Sequence, residues 1–248
     1  MTALFAVAPR FVPLPLPLPL PLSDGVRTAP LLDEIDPKHR AHAKALFERN
    51  VAAGAPASSW HELSDEPPIH GFVQRALVAD LLVLGQRDPT DATGFDVPAD
   101  FVEAVIIDSG RPALVVPYVG EATAEPQTVL VAWKPTRESA HAVTAALPFL
   151  RQAKNVHVVC SAEHIVDTQQ ALAQVGQYLR WHGIPSVREH HGLAGGDVGD
   201  GLLSLAADVG AALLVMGCYG HSRARELVLG GASRTVLQSM TVPVLMAH

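Results

Sequence analysis

Two short stretches of this chain nearly spell each other. Residues 79–85, ADLLVLG, recur at 211–217 as AALLVMG. Each is an apolar run of strand length ended by a glycine, the pattern of a strand buried on both faces. A second pair follows in the same order. Pro112-Ala113-Leu114-Val115-Val116 is echoed by Pro243-Val244-Leu245-Met246. The offset is nearly constant, so about half the chain is an internal duplication. A duplicated strand–helix pattern limits the fold sharply, because each copy must bury a sheet beneath its helices.

The second copy is complete. Strands are expected at 128–133, 155–160, 187–190, 213–216 and 242–246, and helices at 137–150, 167–182 and 198–209. A helical pattern led by Leu227, Val228 and Leu229 breaks at Gly230-Gly231 and restarts over 232–237. Strands alternating with helices make an α/β fold with an open, parallel, doubly wound sheet. The first copy is shorter. It offers a strand at 2–8, a helix at 33–53, an edge strand at 58–63, a helix at 69–78, and strands ending at Gly85 and Val116. Aligned on the second copy, residues 2–8 match its second strand, so the first strand and its helix are missing. Either the polypeptide begins upstream of Met1 or the first sheet is rearranged. The domains are expected at 1–120 and 128–248, with the polar stretch 121–127 as linker. Residues 13–22, PLPLPLPLPL, cannot sustain a hydrogen-bonded ladder and predict polyproline II. That segment is either a ligand for a proline-binding groove or a stiff surface loop.

Composition narrows the function. A formal charge of −7, with no basic run, argues against nucleic acid and anionic lipid as partners. No apolar run is long enough to span a membrane, and the amino terminus lacks the basic start of a signal peptide. Cys160 and Cys218 set no disulfide framework, which fits a cytoplasmic protein.

The chemistry concentrates at the carboxyl end. Gly217 follows the fourth strand of the second copy, Gly220 stands three residues on, and Gly230-Gly231 precedes a helix. Glycine lets a ligand approach the backbone, and bare amides at a helix start attract anions. Two such places can clasp a phosphate chain. The spacing resembles the signature of the universal stress protein family, G-x2-G-x9-G-[ST], matched here by Gly217, Gly220 and Gly230. The resemblance covers most of the chain and implies a tandem member with sheet order 3-2-1-4-5 in each copy. In that order the strand missing from the first copy is the central one, and its loss leaves a gap in a hydrogen-bonded ladder.

The same resemblance implies that ATP or a similar nucleotide is bound by the second copy, in a stress response and without fast catalysis. Gly220, His221, Gly230, Gly231 and Ser233 are then the phosphate contacts, with Gly217 beside them. Ala132, Trp133 and Lys134 face base and ribose, and Val158 and Val159 line the base pocket. Two positions depart from the family's ATP-binding members. Gly231 replaces their Ser or Thr, for which Ser233 offers a hydroxyl. Lys134 replaces an acidic residue, and an ammonium cannot accept from ribose hydroxyls. The first copy keeps Gly85 but has Asp88 where Gly220 stands, and a carboxylate repels phosphate. It is expected to be structural, with the fifth strands of the two copies paired back to back.

Alternatives to nucleotide binding are a nucleotide-free dimeric scaffold, and a slow ATPase or autophosphorylating protein using Ser222 or Ser233. A homodimer is the expected assembly. His190-His191 lacks partners at metal-ligand spacing, so no metal is expected. Cys218 beside a helix start is either a low-pKa thiol or, more plainly, a small packed residue. The chain has neither a GxxxxGK[ST] phosphate loop nor a GxSxG elbow.

Overall fold

The computed structural model describes residues 1–6, 29–54, 57–63, 66–88, 90, 98, 100–120, 123, 125–160, 165–193, 196–218 and 231–248. They form β1 (Thr2–Ala6), α1 (Ala29–Ala52), β2 (Ser59–Leu63), α2 (Pro68–Ala76), β3 (Leu82–Gly85), α3 (Phe101–Ser109) and β4 (Ala113–Val116). The second half gives β5 (Thr128–Trp133), α4 (Arg137–Gln152), β6 (Asn155–Cys160), α5 (Ile165–Trp181), β7 (Val187–His191), α6 (Val198–Asp208), β8 (Leu213–Gly217), α7 (Gly231–Ser239) and β9 (Val244–Ala247). The proline–leucine repeat and the 227–229 segment lie outside the described residues.

The chain divides into two compact units. One holds residues 1–75 and 89–101, the other 76–88 and 102–248. Compactness therefore does not follow the midpoint of the sequence repeat: β3 and β4, from the first copy, belong with the second.

The smaller unit contains a two-stranded parallel sheet, β1 beside β2. Two strands alone are marginal, and side chains must cover them. Trp60 supplies the centre, with the rings of Phe5 and Phe47 at 5.8 and 5.6 Å. Leu63 is buried at the end of β2.

The larger unit carries a seven-stranded sheet in the order β3-β4-β9-β8-β5-β6-β7. Within the second copy this reads 3-2-1-4-5. All neighbours are parallel except β4 and β9, which run antiparallel with Leu114 opposite Leu245. The fifth strands of the two copies are thus paired within one chain, as the exposed edge predicted. Among the described residues two separate five-strand sheets do not form. In the family order β2 and β1 are strands 3 and 2 of the first copy, and β3 and β4 are its strands 4 and 5. Among the described residues these four strands form two pairs in different sheets.

The centre of the larger sheet is β5, bonded to β6 on one side and β8 on the other. Val129, Leu130 and Val131 are each 0 % exposed, as expected of a strand covered on both faces. Val129 and Val131 pack with Val143, Leu150, Leu172 and Leu179 of α4 and α5. Helix α4 starts at Thr136, whose hydroxyl accepts from Ser139 N at 3.4 Å. Helix α6 starts at Asp197, whose Oδ1 accepts from Gly199 N at 2.8 Å and Asp200 N at 3.1 Å.

Candidate functional site

Strand order reverses between β5 and β8, and ligands of open α/β sheets settle outside the carboxyl ends of such strands. Ala132 lies opposite Met216 on one side and Val159 on the other. Val159 and Met216 are buried, and Ala132 is half-buried. Together they make a short apolar floor. Helix α7 begins at Gly231, which is exposed, and Ser233 in its first turn is buried. Helix α7 is held tightly against α6. A Cβ on Gly199 would lie 2.6 Å from Thr235 Cβ and 3.0 Å from Ala232 O.

Gly217 has a different neighbour from the one its spacing suggested. A Cβ there would stand 2.5 Å from Ser139 N and 2.7 Å from the Glu138 carbonyl carbon. The end of β8 therefore touches the first turn of α4, backbone against backbone. Gly217 serves packing on that side and leaves no room there for a phosphate. The next amide is also engaged, Cys218 N donating to Ala247 O at 2.9 Å. Burial, helped by the carboxylates of Glu138 and Glu103, pushes the Cys218 thiol up to about 12. A thiolate nucleophile is thereby removed, and Cys218 is the small packed residue of the plainer alternative.

Glu138 itself is buried in the first turn of α4. Burial disfavours its charge, but hydrogen bonds from Arg137, its own backbone and Thr136 outweigh that and hold its carboxyl below the ordinary value. The Arg137 Nε–Glu138 Oε1 distance is 2.6 Å. An acid at a helix start also meets the positive end of the dipole. Sequence reasoning missed this carboxylate, although Thr136 followed by an acid at the second helical position is a visible signal.

The remaining predicted residues separate. Lys134 is exposed in a turn closed by Thr136 N donating to Lys134 O at 2.7 Å. Trp133 lies on the α4–α5 side, lining a cavity with Val143 and Tyr178. Successive strand residues point to opposite faces, so Trp133 and Ala132 cannot share one pocket wall. Val158 belongs to the α4–α5 core, which leaves Val159 as the β6 residue facing the other way. Gly220, His221, Ser222 and Gly230 lie outside the described residues. Near Gly231 stands a group the sequence did not announce: Asp197 Oδ2 would lie 3.4 Å from a Cβ there. Ala132, Val159 and the bare start of α7 suit a nucleotide, whereas Gly217 and the Asp197 carboxylate do not.

In the first copy Gly85 is open, with nothing within 4 Å of a would-be Cβ. Gln86 is buried instead. Its Nε2 donates to Leu237 O at 2.9 Å and its Oε1 accepts from Tyr118 N at 3.2 Å. This side chain ties the end of β3 to α7, a structural part rather than a ligand site. His157 and His190 stack with Nδ1 and Nε2 2.8 Å apart. Among the described residues no three metal-type side chains gather. Nor, among them, is any helix long and apolar enough to cross a membrane.

A sequence model described as the universal stress protein family matches residues 126–248. That span is a universal stress protein domain. Two solved structures agree on the fold. A universal stress protein from Archaeoglobus fulgidus DSM 4304 superposes with a TM-score of 0.73 at 18 % identity, over 99 % of this chain and 84 % of that one. A putative universal stress protein from Pseudomonas aeruginosa UCBPP-PA14 gives 0.53 at 15 %, over 98 % and 91 %. A universal stress protein in complex with cAMP gives 0.44 at 24 %, over 50 % of this chain and 98 % of that one. No curated protein matches the chain. The match over 126–248 takes in Ala132, Val159, Gly231 and Ser233, so the candidate site lies wholly inside the universal stress domain.

Proposed function

We propose that the universal stress domain binds a nucleotide of the ATP type at the carboxyl ends of β5 and β8, without fast turnover. In this reading Ala132 and Val159 seat the base, and Gly231 and Ser233 at the start of α7 meet the phosphates. Gly220, His221 and Gly230 are assigned to the same contacts from the family signature. The observation that carries the reading is the exposed, side-chain-free start of α7 within the domain whose strand order reverses at β5 and β8. Gly217 is reassigned to packing. The first copy acts as support, and the protein works in a stress response.

A specific observation favours a second reading, a nucleotide-free scaffold. The Asp197 carboxylate beside Gly231 opposes a phosphate at that helix start. Titration calorimetry with ATP on the full chain separates the two, using Asp197→Ser to keep a capping hydroxyl while removing the charge. Nucleotide binding predicts measurable heat, and affinity about three- to tenfold higher in the variant, the scale of one nearby like charge at a partly solvated site. No heat with either protein, and no nucleotide released from freshly purified material, supports the scaffold.

A further inference from the structure

The seven-stranded sheet ends in β7 on one side and β3 on the other, and the two edges differ in kind. Along β7, Arg188 and Glu189 are exposed. Charges of that sort keep a sheet edge from pairing with another chain. Strand β3, Leu82–Gly85, has neither a charge nor a proline. Val83 is 63 % exposed, and a Cβ on Gly85 would meet nothing within 4 Å. The phase of the backbone shows what this edge offers. Leu82 N donates to Pro112 O at 2.9 Å, and Gln86 N donates to Val116 O at 2.8 Å. Successive residues of a strand turn their N–H and C=O groups to opposite sides, so Leu82, Leu84 and Gln86 face β4. Val83 and Gly85, with Leu81 before them, turn theirs to the side where no strand lies among the described residues.

We propose that β3 is where two copies of this chain join, their β3 strands running antiparallel about a twofold axis at Val83. In an antiparallel pair, alternate opposite residues exchange both backbone bonds. An axis at Val83 sets that residue against its own copy and Leu81 against Gly85, so all the outward groups are answered. Gly85 has no side chain to obstruct the leucine that comes to lie beside it. On the other face of the sheet Leu82 meets Leu84. Charge agrees with this arrangement. Asp80 precedes the strand and Arg87 follows it, and both are exposed. Antiparallel copies bring Asp80 of each toward Arg87 of the other, whereas parallel copies lay like on like. The contact is isologous and uses up the edge it forms on, so it stops at two molecules. It goes beyond the nucleotide reading and does not depend on it.

The test weighs the full chain by sedimentation equilibrium over a range of concentrations. The wild-type chain is expected to form dimers and nothing larger. Val83→Lys and Val83→Glu each set like charges opposite one another at the axis, and each should raise the dissociation constant about tenfold. Mixed in equal amounts, the two variants should pair again, within about threefold of wild type, because Lys then faces Glu. That rescue requires position 83 to meet itself across the contact. Val83→Pro removes an N–H that faces the edge and not β4, so it should weaken the dimer as well. Position 83 is exposed, and the Lys and Glu variants should keep the wild-type urea midpoint at dilutions where the chain is a single molecule. A wild-type chain that remains a single molecule at every concentration overturns the proposal. So do dimers that all three substitutions leave unchanged. Dimers that weaken in the folded Lys and Glu variants without recovering in their mixture overturn it too.

Discussion

The two halves of this chain carry similar strand runs, yet among the described residues only the second builds a continuous five-strand ladder. In the second, β5 stands between β6 and β8, and five strands form one ladder. In the first, no strand among the described residues takes the corresponding place. Its four strands form two pairs in different sheets, β1 with β2 and β3 with β4. The comparison shows what a central strand does in this order. It joins the pair 2–3 to the pair 4–5, so without a strand in that place four strands make two pairs rather than one ladder. The orphaned pair β3–β4 then takes its stability from elsewhere, through the antiparallel ladder to β9 and the Gln86 bridge to α7.

The comparison can be broken most directly at its centre. Leu130→Ala in β5 should cost about 2–5 kcal/mol in denaturant unfolding, as for a fully buried leucine in a sheet core. Val83→Ala in β3, where the side chain is 63 % exposed, should change stability by no more than about 0.5 kcal/mol. Equal effects would mean that β5 has no special standing.

The aligned glycines give the next test. Gly217→Ala forces a methyl against the α4 backbone and should cost about 1–3 kcal/mol. Gly85→Ala meets open space and should lie within about 0.5 kcal/mol of wild type, on the stabilising side if anything. Thermal unfolding of the two variants side by side reads the difference.

Asp197→Ala sharpens the contrast within the second copy. Losing the cap on α6 should cost about 0.5–2 kcal/mol, with Asp197→Ser recovering most of it. Recovery by Ser, measured as a denaturation midpoint, separates capping from any role of the charge near Gly231.

The smallest effect concerns pH. Burial, then the nearby His190 and Arg188, hold the His157 imidazole below its ordinary value of 6.5. The folded state therefore prefers it neutral. Its contribution is complete above about pH 6.5 and is lost as pH falls toward the lower folded value, where it levels off. His157→Gln should flatten that part of the curve when urea midpoints are compared at several pH values. An unchanged slope would assign the pH dependence to other groups.

Much of this fold was legible because buried strands write plainly. The limits 128–133 and 155–160 agree with β5 and β6 residue for residue, since each is a run rich in valine between polar turns. The pairing of the fifth strands was also legible, from the need to cover an edge. Other features were not, because they depend on contacts between elements far apart in sequence. Nothing around Gly217 announces that α4 will press on it. Nothing in the spacing of Asp197 and Gly231 says that the carboxylate of one will face the other. Trp133 was expected beside Ala132 because both stand at a strand end. The two-residue period of a strand was the available warning that they must part.

The antiparallel seam between β4 and β9 has a consequence for assembly. Contacts of that kind between separate molecules obey mass action and come apart on dilution. Here both strands lie on one polypeptide, so each is presented to the other at a fixed effective concentration set by the tether. The seam should therefore persist at any protein level in the cell, including the scarce amounts before a response begins. A second molecule is not needed to complete that edge, and it remains free to bind elsewhere.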